Sequence, residues 1–151
     1  MQVRVGKQED YKPCLKVAEG LNKFFEEYGL SKMKKDIKRH KLYVAEKGDI
    51  LGFLICEIKS KNVAEILWMA VDRANRNKGI GTALIEYLVN ELKNKNKRLL
   101  IVKTLAQKEE YKPYEYTRMF YRRKGFFLLE TIDPYPGWTE GNPCAIYVKI
   151  L

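Results

Sequence analysis

The stretch Arg76-Asn77-Lys78-Gly79-Ile80-Gly81-Thr82 sets two basic side chains and two glycines where a polar loop turns into a helical pattern. The first N–H groups of a helix lack intrahelical partners and carry partial positive charge. Glycines let such a backbone approach an oxyanion closely. The chemistry on offer is the holding of a phosphate or pyrophosphate, with Thr82 adding a hydroxyl in the first turn. The same residues also suit a tight strand–helix junction with no ligand. GxxxxGK[ST] is absent, and so is GxGxxG, because Leu84 stands where the third glycine would fall. Glu65 is the second chemical feature, being the only acidic residue inside the apolar run Val63–Val71. Partial desolvation is what tunes a carboxylate for proton transfer. A strand-end glutamate facing solvent is the alternative. Strand alternation puts Glu65, Leu67, Met69 and Val71 on one face.

The chain that must position these groups has 151 residues, enough for one domain and one core, so we expect a single domain over 1–151. Its 46% hydrophobic and 32% charged residues suit a globular fold rather than disorder. A net charge of +10 favours anionic partners, though a solvated lysine-rich surface accounts for it equally well. Nucleic acid therefore stays open as a partner, with no RNP-like, zinc-finger or helix-turn-helix signature to support it. Three dispersed cysteines and one histidine offer no metal-ligand spacing, so no metal is expected. Cys56 and Cys144 lie in apolar strand-like runs and read as core thiols, which, with no signal peptide, points to a reducing cytoplasm. No apolar run approaches the roughly 20 residues that cross a bilayer, so no membrane partner is expected.

The element pattern is α+β. Gln2–Gly6 reads as a strand. A helix follows from about Glu9 to Tyr28, with Pro13 early in it, Leu15, Val17, Ala18, Leu21, Phe24 and Phe25 as its apolar residues and Gly29 as its stop. Ser31 then caps a short basic helix reaching His40. Leu42–Lys47, Ile50–Ser60 and Asn62–Asp72 form an antiparallel meander whose first turn is Gly48-Asp49. A helix over about Gly79–Asn94 buries Ile80, Ala83, Leu84, Tyr87, Leu88 and Leu92. The strand Arg98–Leu105 follows it, which predicts a right-handed crossover between parallel neighbours. A helix over Tyr114–Lys124 ended by Gly125, a strand Phe126–Ile132, a turn-rich loop and a strand Cys144–Ile150 complete a mixed sheet with helices on both faces.

The pattern Arg76-x-x-Gly79-x-Gly81 after an apolar strand and opening a helix resembles the GCN5-related N-acetyltransferase (GNAT) family. "AEILWMAVDRANRNKGIGTALIEYL" is similar to that family's central strand, loop and helix, and "MFYRRKGF" (Met119–Phe126) to its aromatic pair and Gly-Phe block. The resemblance is clearest from Leu42 to Phe127 and looser in the N-terminal helices. It implies a mostly antiparallel sheet of about seven strands flanked by about four helices. It also implies acetyl-CoA as cosubstrate, with the pyrophosphate on the amides of Asn77, Lys78, Gly79, Ile80, Gly81 and Thr82 and Arg76 as a further cofactor-binding residue.

The activity so implied is transfer of acetyl from acetyl-CoA to a primary amine by direct attack in a ternary complex. Such a transfer needs a neutral amine, a stabilised carbonyl oxygen and a proton for the leaving thiolate. By resemblance, a bulge in the central strand frees main-chain N–H groups among Met69, Ala70 and Val71 for the thioester carbonyl. Tyr121 falls where the family's tyrosine reaches the coenzyme sulfur; packing beside Phe120 is its alternative role. The family's histone-acetylating branch has a glutamate at the offset of Glu65, which could take the ammonium proton directly or through water. The family's acceptor loops correspond here to segments carrying Tyr111, Tyr114, Tyr116, Tyr135 and Trp138, with Glu109, Glu110, Asp133 and Glu140 nearby. Of these, Tyr111, Tyr114 and Trp138 are the candidate substrate contacts, and loop packing is the alternative for each. The tail resembles a group of prokaryotic GNAT proteins with similar "Tyr…Thr-Arg-x-Phe-Tyr" and "Gly-Asn-Pro" segments. The acceptor amine, small molecule or protein and peptide, stays open, as does a homodimer. A protein that binds acyl-CoA without catalysis is the remaining alternative within the family.

Overall fold

The computed structural model describes residues 1–21, 27–107, 112 and 114–151. Seven strands, β1 (Gln2–Val5), β2 (Lys41–Lys47), β3 (Asp49–Ile58), β4 (Val63–Val71), β5 (Leu99–Leu105), β6 (Phe127–Ile132) and β7 (Cys144–Ile150), form one sheet in the order β1-β2-β3-β4-β5-β7-β6. Only β4 and β5 run parallel, as a strand–helix–strand connection requires; every other pair is antiparallel. Four helices flank the sheet: α1 (Tyr11–Glu19), α2 (Glu27–Arg39), α3 (Ile80–Asn94) and α4 (Glu115–Arg123).

Alternation along the strands builds two cores, one per face. On one face Tyr43, Leu54, Ala64, Ile66, Leu100 and Val102 pack against α3, and Tyr121 of α4 joins them. On the other, Val44, Phe53, Ile55 and Ala70 pack against Cys14 and Ala18 of α1 and Met33 and Ile37 of α2. All three cysteines are buried free thiols, and burial pushes Cys14 and Cys56 up to about 12 and Cys144 to about 11.

Several sequence expectations are corrected. The N-terminal helical region begins as a 3-10 turn at Gln8–Asp10, and α1 ends at Glu19 with Gly20 as its C-cap. Phe24 and Phe25 lie outside the described residues. Gly29 does not stop a helix and Ser31 does not cap one, because both lie inside α2. Gly29 lies beside Trp68, and a Cβ there would make an ordinary contact with the ring at 3.8 Å. In α3 the buried stripe takes Ile85 and Val89, while Ala83 and Tyr87 are only half-buried. The buried arc is rotated about the helix axis toward Ile85 and Val89 relative to the predicted one. Gly48 does turn the β2–β3 hairpin, in the left-handed region at φ 75°.

Candidate active site

The site begins with an irregularity in β4. Its register with β3 runs Ile55↔Trp68 and then Cys56↔Ile66, so Leu67 is an extra residue. An extra residue in one strand reverses the alternation beyond it. Ala64 and Ile66 face α3 before the bulge, Leu67 and Trp68 both pack on the α1/α2 side, and Met69 and Val71 face α3 after it. Glu65 therefore does not share a face with Met69 and Val71. It points to the α1/α2 side with Leu67. The Trp68 indole Nε1 donates to Asp36 Oδ2 at 2.7 Å, tying α2 to the bulge.

The sheet opens at the same level. The parallel ladder pairs Val63–Ile66 with Leu99–Val102 and stops there. Beyond Ile66↔Val102, β4 continues to pair with β3 and β5 with β7, so the two central strands diverge. The β5-facing edge of Leu67–Val71, where Met69, Ala70 and Val71 stand, lines this gap.

On the α3 side, the loop after β4 is held in shape by short-range bonds. The Asp72 N–H donates to the Leu51 carbonyl at 2.7 Å, and Asn75 Nδ2 donates to Asp72 Oδ2 at 2.7 Å. Asn77 (φ 61°) and Gly79 (φ 79°) both adopt left-handed backbone, which asparagine and glycine tolerate best. Arg76, Asn77, Lys78 and Gly79 are exposed, while Ile80 is buried and anchors the turn in the core. Among the described residues no side chain caps α3, and a Cβ on Gly79 would meet nothing within 4 Å. The first amides of this 15-residue helix, with Thr82 among its first residues, thus lack a side-chain acceptor there. Gly81 differs from Gly79. A Cβ there would stand 3.1 Å from Phe120 Cζ and 3.8 Å from Met69 Cε, so its missing side chain lets α4 close against the start of α3.

Tyr121 lies beside that contact, 4% exposed and edge-on to Phe120 and Phe126 with ring centroids 5.4 and 5.3 Å away. Burial alone pushes its phenol upward, so it keeps its proton well beyond neutral pH. One buried polar atom on this part of β5 has no partner among the described residues, the Thr104 hydroxyl. Thr104 shares the face of Leu100 and Val102 and lies past the end of the parallel ladder. A buried hydroxyl without a partner costs free energy, and a ligand in the gap would satisfy it.

The α1/α2 side carries charge. Glu65 is 4% exposed, and its Oε1 lies 3.2 Å from both Lys59 Nζ and Lys103 Nζ. Lys103 Nζ also lies 5.0 Å from the centroid of the Tyr135 ring, which meets Trp138 edge-on at 5.8 Å. Desolvation lowers the Lys103 ammonium, but a hydrogen bond with Tyr135 and the charge of Glu65 outweigh it and leave the group raised. Trp138 is thus placed at this cluster, through Tyr135. Tyr114 is the N-cap residue of α4. Glu109, Glu110 and Tyr111 lie outside the described residues.

Sequence reasoning missed Lys59, Lys103 and Thr104. The lone lysine in "LLIVKTL" is the counterpart of the lone glutamate in "VAEILWMAV", but the parallel register that joins them is not written in either string. Among the described residues no group of three His, Cys, Asp or Glu side chains could hold a metal, and no helix is long and apolar enough to cross a membrane.

The central parallel pair of the mixed sheet thus parts between a helix start without a side-chain cap at one face and a buried carboxylate at the other. The family description "Acetyltransferase (GNAT) domain" matches residues 38–127. No curated protein matches at the level of sequence. A protein assigned to the GNAT acetyltransferases from Desulfovibrio desulfuricans superposes with TM-score 0.85 at 20% identity, covering 99% of this chain and 98% of that one. A GNAT acetyltransferase from Elizabethkingia anophelis with acetyl-CoA bound gives 0.76 at 18%, covering 99% and 97%. The ribosomal-protein-S18-alanine N-acetyltransferase of Escherichia coli gives 0.76 at 18%, covering 99% and 92%. The chain belongs to the GNAT family of acetyltransferases. That membership makes it an acetyl-CoA-dependent N-acetyltransferase.

Proposed function

We propose that the protein transfers the acetyl group of acetyl-CoA to a primary amine by direct attack in a ternary complex. The observation that carries this reading is the parting of β4 from β5 beyond Ile66↔Val102, which joins the face of Tyr121 to the face of Glu65. The exposed turn Arg76–Gly79 and the first amides of α3, with Ile80, Gly81 and Thr82, suit the coenzyme pyrophosphate. The orphaned Thr104 hydroxyl supports a ligand in the gap. Main-chain N–H groups among Met69, Ala70 and Val71 stabilise the carbonyl oxygen as it gains charge.

Glu65 receives one proton from the acceptor ammonium, directly or through a water, and the freed nitrogen lone pair attacks the thioester carbon. The C–N bond forms, the C–S bond breaks, and Tyr121 supplies a proton to the departing sulfur. The nitrogen sheds its second proton as the amide forms, and solvent takes up the one proton released overall. For Glu65 to act, the incoming ammonium must reach its Oε2 or replace one of the two lysines on its Oε1.

The test is mass spectrometry of an amine library incubated with protein and acetyl-CoA, read for enzyme-dependent acetylated products. Coenzyme binding by calorimetry with no acetylated amine in any pool would leave a binder of acyl-CoA and overturn the catalytic reading.

A further inference from the structure

The acceptor side of the site is already an ion pair. Glu65 Oε1 is shared by Lys59 and Lys103 at 3.2 Å each. Lys59 has a second anion in reach, Glu57 at 3.5 Å, and its side chain is 36% exposed. Lys103 is 19% exposed, and Glu65 is its one carboxylate partner among the described residues. It stands one residue past the last β4–β5 pair, at the mouth of the gap, beneath the Tyr135 ring.

An acceptor with only a cationic amine fits this arrangement badly. It would meet two ammonium groups around one carboxylate. Lys59 can withdraw to Glu57, but Lys103 then stays against the incoming ammonium, and taking Glu65 from Lys103 leaves a largely buried cation with Tyr135 alone among the described residues. An acceptor that also carries an anion removes that cost. Its ammonium takes the place of Lys103 on Glu65, and its anion takes the place of Glu65 on Lys103.

We infer that the acceptor is a small zwitterion, an amino acid or close analogue, whose carboxylate is bound by Lys103 while its amine is presented to Glu65. The inference rests on the acetyl transfer proposed above. Tyr135 and Trp138 form the wall beside Lys103, against which the body of such an acceptor packs. Lys103 is then the residue that sets acceptor specificity, and Lys59, with Glu57 as its alternative partner, keeps Glu65 oriented.

The experiment compares free amino acids with their α-amides and decarboxylated amines, with acetyl-CoA saturating and thiol release as the readout. Wild type should prefer the free acid in kcat/KM by roughly 10²-fold or more, as a site built for a polar group rejects the analogue lacking it. Lys103→Met keeps the apolar stem and loses the charge. It should abolish the preference, chiefly through KM for the acid, with coenzyme affinity unchanged. Lys103→Arg should retain it. Equal use of acid and amide by wild type overturns the inference, whether or not the variants fold. So does a preference that persists in Lys103→Met, or transfer confined to amines without a carboxylate; these outcomes leave acetyl transfer standing. Coenzyme binding with no transfer to any amine overturns acetyl transfer itself and the zwitterion with it.

Discussion

On the α3/α4 face the candidate groups are main-chain amides, two glycines and one phenol, brought together by one loop and two helices. On the α1/α2 face they are charged and aromatic side chains from β3–β4, β5 and the β6–β7 loop. The first set depends on backbone conformation, which local sequence dictates through φ. The second depends on register, which no single segment dictates. The α3/α4 set should therefore fail when a backbone angle is disturbed, and the α1/α2 set when a charge is disturbed.

The largest effect is expected from Gly79→Val with Gly81→Val. Left-handed backbone costs a non-glycine residue about 1–2 kcal/mol, and more when it is β-branched. A folded double variant should lose coenzyme binding altogether by calorimetry; unchanged affinity would remove the phosphate role of the loop. Alanine separates the two glycines. Gly79→Ala meets no atom, but left-handed backbone at φ 79° strains alanine, so Tm and coenzyme binding should both fall. Gly81→Ala should lower Tm through contact instead, since Phe120 stands 3.1 Å from the new Cβ.

Tyr121→Phe comes next. It keeps the ring and the core, so Tm should hold, while kcat should drop by about 10²–10⁴-fold with coenzyme affinity little changed. Because burial pushes the phenol upward, wild-type turnover should show no alkaline loss near the ordinary tyrosine range around pH 10. Stopped-flow thiol release, with chemistry shown to limit turnover, checks both; an unaltered rate would leave Tyr121 a packing residue.

Glu65→Gln tests the opposite face. At neutral pH the variant should lose about 10²-fold in rate, and much of the loss should return at high pH, where the amine deprotonates unaided. A rise in KM with kcat untouched would make Glu65 a binding group instead. Full activity at every pH would leave deprotonation to water.

The smallest effect concerns the N-terminal anchor of the α1/α2 face. Arg4 bonds Asp10 at 2.8 Å and Glu46 at 2.8 Å. The Arg4 guanidinium holds the Asp10 carboxyl below its ordinary range despite burial. A carboxyl whose folded pKa is lowered contributes stability that is complete above its unfolded pKa near 4 and is lost as pH falls through the folded value. Asp10→Asn should cost about 1–3 kcal/mol at pH 7, with the deficit shrinking in acid. Urea denaturation at pH 7 and pH 3 measures this.

Much of the local structure around the candidate site was legible because its signals are local. Gly79 and Asn77 announce a left-handed turn before an amphipathic helix, and Phe120-Tyr121 with Gly125-Phe126 announce the end of another. The face of Glu65 was not legible. Alternation over nine residues of β4 puts it with Met69, and one extra residue at Leu67 reverses that. Gly29 misled in another manner: glycine marks helix ends by conformation, but here it lies inside α2.

The sequence by itself determined the order of the elements, the antiparallel meander, the parallel crossover and the turn that opens α3, because periodicity and φ preference act over a few residues. Only the tertiary structure decided that Glu65, Lys59, Lys103 and Tyr135 converge. Lys103 lies 38 residues from Glu65 along the chain, and the bulge, the register of β4 with β5 and the return of the β6–β7 loop are settled by packing between segments, where side-chain contacts rather than local propensity fix the geometry.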